Sequence, residues 1–142
     1  PDKIGSMLWT DREYGDYELE LEYKTPSEYY DSGVLVHGDG TQVQIGISGS
    51  LKIDLTACVY APKDKDPRGK YPIESKKAPK LNKEGQWNHL RVRVTGKRIE
   101  TWLAGKQIVD YTSGVPTTGK FIGLQKNSGR VAFRNIQIRE LK

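Results

Sequence analysis

Cysteine is nearly absent from this 142-residue sequence, and its single residue, Cys58, excludes an internal disulfide. Cys58 lies in the apolar run Leu-Thr-Ala-Cys-Val-Tyr, so we interpret it as a small buried side chain. A reactive thiolate would need a basic partner and some exposure, and the sequence around Cys58 indicates neither.

Long apolar runs are absent as well, since none approaches the roughly 20 residues that a transmembrane helix needs. The first residues, PDKIGSMLWTD, lack the basic and apolar segments of a signal peptide, so any export signal would precede them. The length is that of one ordinary domain. We therefore expect a single domain over residues 1–142 with no membrane span.

Several catalytic motifs are missing. The sequence has no Gly-x-Ser-x-Gly nucleophile elbow, phosphate-binding glycine loop or dinucleotide fingerprint. Only two histidines, His37 and His89, are present, which argues against a zinc site built mainly from histidine. We predict no cofactor, although a calcium site of carboxylates and carbonyls stays open. The Glu-x-Asp-x-x-Glu spacing of sandwich-fold glucanases, which need two carboxylates about 5–5.5 Å apart, is also absent.

The net charge of +5 is concentrated in residues 61–84, a stretch that holds eight basic and four acidic residues and four prolines. Because charges of both signs alternate with proline there, the stretch predicts a long solvated loop and no nucleic-acid partner. A recognition helix or RNA-binding aromatic signature is lacking too. Loops of this length are often functional, and a mobile surface insertion is the alternative.

Period-two alternation dominates the rest of the chain and predicts an all-β fold, an antiparallel sandwich or barrel. In the stretch 88–103, an apolar set alternates with charged residues on either side of a Thr-Gly-Lys turn, which predicts a hairpin. Its predicted core residues are Leu90, Val92, Val94, Ile99 and Leu103. The other predicted strands lie within 14–24, 32–38, 41–47, 50–60, 107–113, 119–126 and 129–141.

Amide side chains share one strand face, where Gln42 and Gln44 alternate with apolar residues. Amides both donate to and accept from sugar hydroxyls, so this face is typical of a saccharide-binding sheet. His37 ends the preceding strand, Gln125 closes another, and Tyr60 could offer an apolar platform to a pyranose ring. The tryptophans Trp87 and Trp102 fit either a core or a platform position.

Carboxylates form a second polar face, because Glu18, Glu20 and Glu22 alternate with Leu19, Leu21 and Tyr23. Three like charges on one strand favour cationic neighbours such as Arg91, Arg93 and Arg98 across the sheet. A role in a site for one of the glutamates is the alternative to this cross-strand pairing.

The order of motifs resembles a bacterial family, the 3-keto-disaccharide hydrolases. The resemblance is carried by EYGDYELELEYK, SGVLVHG, VQIG, VYAP, GQWNHLRVRVTGKRIETWLAGKQIVDY, IGLQ and VAFRNIQIREL, in that order. It implies a concanavalin-like jelly roll of two packed antiparallel sheets. It also implies a periplasmic or secreted bacterial protein with a saccharide ligand, which cleaves glycosidic bonds in sugars oxidised at C3.

The implied chemistry needs one base and one group that stabilises an enolate, because a 3-keto group acidifies the proton on C2. Loss of that proton lets the C1 substituent leave, and water can then add. The candidates are Glu20 or Glu22 as base, His37 as acid or orienting group, and Arg134 as enolate partner or as part of an internal salt bridge. The predicted substrate-binding residues are Gln42, Gln44, Gln125 and Tyr60, which is also a possible proton donor.

Departures from the family pattern support two alternatives. The family often has Asn, Arg, an acidic residue, Asn and His where this chain has Asp31, His37, Ile47, Ala104 and Asn127. The lost acidic residue and His favour a non-catalytic glycan-binding module. The family's opening strand near a Gly-Trp is also missing, which suits an interaction domain within a larger secreted chain and an edge covered by another element.

Overall fold

The computed structural model describes residues 6–25, 30–37, 40–49, 51–64, 66–75, 77–113, 121–128 and 131–141. These ranges contain ten strands and one four-residue helix. In chain order they are β1 (Ser6–Trp9), β2 (Tyr17–Lys24), β3 (Asp31–Leu35), β4 (Gln42–Gly46), β5 (Val59–Tyr60), α1 (Ala78–Leu81), β6 (Asn88–Thr95), β7 (Arg98–Leu103), β8 (Lys106–Thr112), β9 (Gly123–Ser128) and β10 (Ala132–Glu140).

The strands form two antiparallel sheets of five. Sheet A has the order β1-β9-β3-β4-β5, and sheet B has the order β10-β2-β6-β7-β8. The predicted all-β antiparallel sandwich is therefore confirmed. Since each strand alternates between faces, each sheet turns one face to the core and one outward.

The core lies between the inner faces, and the predicted hairpin residues of β6 and β7 are all buried in it. Polar atoms also join the two layers. The Tyr17 hydroxyl donates to the Val36 carbonyl at 2.8 Å, and the Thr101 hydroxyl donates to the Ala57 carbonyl at 2.7 Å. Cys58 is fully buried as expected, and burial raises the pKa of its thiol to about 11.

Two strand predictions differ from the structure. The sequence did not indicate β1, and the long strand expected over 50–60 is reduced to β5. Its earlier part turns because Lys52 and Ala57 have φ angles of 60° and 69°, a left-handed conformation that breaks a strand. The Gly-Val-Pro-Thr-Thr-Gly connection before β9 lies outside the described residues.

The loop over residues 61–84 is fastened to the sandwich at several points, although most of its charged side chains are exposed. Asp66 is buried and accepts a hydrogen bond from the Tyr111 hydroxyl of β8 at 2.9 Å. The Tyr23 hydroxyl of β2 donates to Asn82 Oδ1 at 2.6 Å, just after α1. No helix in the described part of the chain is long and apolar enough to cross a membrane.

Candidate functional site

A depression of about 290 Å³ lies on the outer face of sheet A. Strands β3, β4, β5 and β9 contribute to its walls, together with the turn after β4 and the loop over 61–84. Its lining residues are Asp31, Gln42, Ser48, Gly49, Tyr60, Tyr71 and Gln125. The structure thus brings together three of the predicted substrate-binding residues, Gln42, Tyr60 and Gln125.

Strand parity explains why these side chains share a face. Val43 and Ile45 point into the core, so Gln42 and Gln44 point outward. Gly33 of β3 pairs with both Gln44 and Gln125 and has no side chain of its own. A Cβ at Gly33 would overlap the Gln42 side chain, so the glycine lets Gln42 lie across β3.

A chain of amides ends on a carboxylate. Gln42 Nε2 donates to the Ser32 carbonyl at 3.0 Å and to Gln44 Oε1 at 3.1 Å. Gln44 Nε2 donates to Asp31 Oδ1 at 2.7 Å, and the Gly49 N–H donates to Asp31 Oδ2 at 3.2 Å. Because both carboxylate oxygens have a donor, the Asp31 side chain is held in one orientation.

Asp31 is the one carboxylate among the described lining residues, and the sequence reasoning treated it only as a departure from a family pattern. A signal was present, because Asp31 has the same strand parity as Gly33. A polar side chain at the position of Asp31 would therefore point to the same sheet face as the outward amides of Gln42 and Gln44 on the next strand.

Two tyrosines also line the depression. The Tyr60 and Tyr71 rings meet edge to face, with centroids 5.5 Å apart and planes at 72°. Burial raises the pKa of Tyr71, and the negative charge of Asp31 raises it further, against a hydrogen bond with Ser48. The Tyr71 hydroxyl therefore stays protonated and can donate. Tyr71 was not predicted, because it comes from the long loop, where no periodic pattern exists.

Two predicted residues lie beneath the surface instead of on it. Gln44 is 1% exposed, and its amide is engaged by Gln42 and Asp31, so its position suits holding Asp31 more than reading a hydroxyl. His37 is 5% exposed in the bend after β3 and is not among the described residues that line the depression.

Three further predicted site residues, Glu20, Glu22 and Arg134, do not lie in this depression with the glutamines. Leu19, Leu21 and Tyr23 fill the core side of β2, so the glutamates face outward from sheet B, on the opposite side of the sandwich. Their roles in catalysis and binding remain predictions, but this depression cannot use them.

Glu20, Glu22 and Arg134 have hydrogen-bond or ion-pair partners on sheet B itself. Glu22 accepts hydrogen bonds from Asn135 and from Arg134, which lower the pKa of its carboxyl, so Arg134 forms the internal salt bridge. Glu20 Oε2 lies 3.8 Å from His89 Nε2. The expected cross-strand pairing is clearest at the buried neighbour Glu18, whose carboxylate oxygens lie 2.9 Å from Arg93 and 3.7 Å from Arg91.

The two tryptophans of this side are covered by cations. The Arg134 guanidinium lies 3.9 Å from the Trp87 ring centre, and that of Arg91 lies 4.0 Å from the Trp102 ring centre. Both tryptophans are half-buried, so they are neither core residues nor bare platforms. Within the described ranges, no group of three His, Cys, Asp or Glu side chains is placed to hold a metal ion.

Comparison with known families identifies the chain. The sequence profile of the 3-keto-alpha-glucoside-1,2-lyase-like domain matches residues 1–139. The chain belongs to this family. It is thus a carbohydrate-active domain of the 3-keto-glucoside lyase-like family, as the order of its motifs predicted. No curated protein sequence matches the chain.

Solved structures share the fold of this lyase-like domain. A Parabacteroides distasonis ATCC 8503 protein, provisionally assigned as a glycosyl hydrolase, is similar with a TM-score of 0.73 at 24% identity, covering 96% of this chain and 84% of that one. The carbohydrate-binding module CBM66 from Bacillus subtilis has a TM-score of 0.62 at 14% identity, with 97% and 83% covered. The chicken liver agglutinin CG-16 has a TM-score of 0.64 at 11% identity, with 95% and 99% covered.

Proposed function

We propose that this lyase-like domain cleaves the glycosidic bond of a 3-keto-α-glucoside by elimination across C1 and C2, in the depression on sheet A. The observation that supports it is the Asp31 carboxylate, held by Gln44 and Gly49 in a sugar-sized depression that is also lined by the protonated hydroxyl of Tyr71. That combination supplies a base and a hydrogen-bond donor, which are the two groups that the reaction requires.

The proposed reaction proceeds in two steps. Asp31 takes the C2 proton, and the electron pair of the C2–H bond moves into a C2=C3 double bond, leaving negative charge on the C3 oxygen. When that oxygen reforms its carbonyl, a C1=C2 double bond forms and the C1–O bond breaks. The leaving oxygen takes the proton from Asp31 and departs as an alcohol. Water adding across C1=C2 would complete a hydrolysis.

Other lining residues have complementary roles in this proposal. The Tyr71 hydroxyl donates to the C3 oxygen as its charge develops, where a hydrogen bond is worth most. The amides of Gln42 and Gln125 bind sugar hydroxyls from the two sides, and the Tyr60 ring packs against a face of the pyranose. Gln44 acts indirectly, as a positioning residue for Asp31.

The test compares Asp31→Asn with Glu20→Gln, using methyl 3-keto-α-glucoside and following the release of methanol. Asn keeps an oxygen for the Gln44 amide but cannot act as the base, so we expect kcat to fall by about 10²–10⁴-fold. Glu20→Gln changes a carboxylate on the opposite face, and kcat should stay within about twofold. An active Asp31→Asn variant, together with an inactive Glu20→Gln variant, would indicate that the catalytic base lies on sheet B and would contradict the proposal.

A second candidate function is glycan binding without cleavage. Ile47, which pairs with Asp54 after β4, stands where the family commonly has an acidic residue, so one charge of the family's pattern is missing at this end of the sheet. This candidate predicts that calorimetry detects saccharide binding while no C1 substituent is released from any 3-keto-glycoside. In that case Asp31→Asn should weaken binding instead of abolishing turnover.

A further inference from the structure

An exposed aromatic residue lies beside the depression, at the β1 edge of sheet A. Trp9 is 41% exposed although it is large and apolar. It pairs with Gly123 of β9. Its side chain therefore projects from the same sheet face as Gly123 and every second residue of β9 counted from it. Phe121, two residues before Gly123, has that parity too and is 37% exposed.

The Trp9 ring rests directly on the sheet. A Cβ built on Gly123 would lie 2.8 Å from both Cε3 and Cζ3 of Trp9, and 3.1 Å from Sδ of Met7. Gly123 therefore leaves the space that the indole fills, and any side chain there would push the ring away. The result is an aromatic surface supported from below and open to solvent above.

This surface adjoins the depression. Gln125, which lines the depression, lies two residues beyond Gly123 on β9 and pairs with Met7. Trp9 and Gln125 are thus diagonal neighbours on one sheet face, a relationship that separates residues by about 7–8 Å. A pyranose bound over Gln125 would have its next substituent within reach of the indole.

We propose that Trp9 forms a second subsite, which packs against the leaving-group sugar ring of a disaccharide substrate. The C–H bonds on one face of a pyranose make an apolar surface, and a supported indole matches it in size and shape. This proposal rests on the proposed function, since it takes the depression as the position of the oxidised ring. Trp9 then determines specificity for the leaving group and takes no part in the chemistry.

The kinetic test uses a 3-keto-disaccharide and methyl 3-keto-α-glucoside, which share the oxidised ring but differ in the leaving group. In Trp9→Ala, we expect KM for the disaccharide to rise about tenfold, a size typical of one aromatic contact, with kcat little changed. KM for the methyl glycoside should stay within about twofold. Trp9→Phe should retain most of the disaccharide affinity, and Trp102→Ala, on the opposite face, should change neither substrate.

Calorimetry separates failure of this inference from failure of the proposed function. If the wild-type domain turns over neither substrate, the proposed function fails, and binding of the same disaccharide still tests the subsite. A tenfold weaker affinity of Trp9→Ala for the disaccharide, with unchanged affinity for the methyl glycoside, supports the subsite. Equal disaccharide affinity in both proteins, equal losses for both ligands, or no disaccharide binding to the wild type would overturn it.

Discussion

At the scale of single residues, the site depends on a position that has no side chain. Gly33 lies on the strand that carries Asp31, beneath the side chain of Gln42, and it pairs with Gln125. The carboxylate, the amides and the bare strand position therefore form one unit. A substitution at any of these residues should therefore alter the positions and hydrogen bonds of the others.

Gly33→Ala tests this unit. Its Cβ would overlap the Gln42 side chain, so Gln42 must move and lose its hydrogen bonds to Ser32 and Gln44. We expect the free energy of unfolding to fall by about 1–3 kcal/mol, as measured by urea denaturation, and saccharide affinity to fall with it. Gly15→Ala is the matched control, because no atom lies within 4 Å of a Cβ at Gly15. Equal stability of the two variants would contradict the interpretation.

Ala104 carries backbone strain in the turn between β7 and β8. Its φ of 51° is left-handed, and its side chain is exposed, so a substitution there costs no packing. Asn tolerates this conformation better than Ala, and Ala104→Asn should stabilise the domain by about 0.5–1 kcal/mol. For a chain of this size, thermal unfolding should show a rise in Tm of about 2–4 °C. A lower Tm would mean that the strain is not at this residue.

At the scale of elements, the loop over 61–84 is joined to sheet B by a buried carboxylate. The Arg68 side chain donates two hydrogen bonds to Asp66, at 3.0 and 2.7 Å, and its backbone N–H donates a third at 3.0 Å. Tyr111 of β8 donates a fourth. The pKa of Asp66 lies well below its ordinary value of 3.8, mainly because the Arg68 side chain donates hydrogen bonds to the carboxylate. A carboxyl with a lowered pKa in the folded state stabilises the fold above its ordinary pKa, and this stabilisation is lost as the pH falls below it.

Asp66→Asn should therefore lower the free energy of unfolding at pH 7 and make it less dependent on pH in the acidic range. We expect the wild-type free energy of unfolding to decrease from about pH 5 to pH 2, and the variant to decrease less over that range. Other paired carboxylates, such as Glu22 and Asp110, titrate in both proteins, so the difference between the curves isolates Asp66. Asp64→Asn, an exposed change in the same loop, is the control. Parallel curves for wild type and Asp66→Asn would refute the anchoring role.

At the scale of the whole molecule, the two outer faces have different characters. The outer face of sheet B carries ion pairs and cation-covered tryptophans, with Glu18 contacted by Arg91, Arg93 and Arg139. The depression on the outer face of sheet A is lined, among the described residues, by amides, tyrosines and the fixed carboxylate of Asp31. On sheet B the charged side chains are paired with one another. On sheet A several polar groups converge on the depression, which is the arrangement typical of a ligand site.

Sequence patterns predicted which side of each strand is buried, but not which sheet each strand joins. The alternation around Leu19 and Val43 correctly predicted that Glu20 and Gln42 face outward. Both are predicted site residues, but period-two alternation does not encode strand pairing and cannot tell whether the two residues share a face of the sandwich. Pairing of β2 with β6 and of β3 with β9 depends on contacts distant in sequence, and these place the two faces on opposite sides.

Parts of the site that lie in turns and loops were the least predictable. Tyr71 comes from the long loop, where no periodicity marks a functional side chain. Asp31 is the first residue of its strand, and only its shared parity with Gly33 indicates the face to which it points. Gln42, Tyr60 and Gln125 were found because regular strands carry them and because amides and an aromatic ring have clear chemistry toward sugars.

The order of strands in sheet A has a consequence for how the site assembles. Asp31 and Gln125 lie on the neighbouring strands β3 and β9 and line the same depression, yet 94 positions separate them along the chain. Loops this long must close before their ends can meet, so such contacts form late and raise the contact order of the fold. The full lining of the depression therefore belongs to the completed sandwich alone, and a nascent fragment that ends before β9 would hold the Asp31 carboxylate without the Gln125 amide.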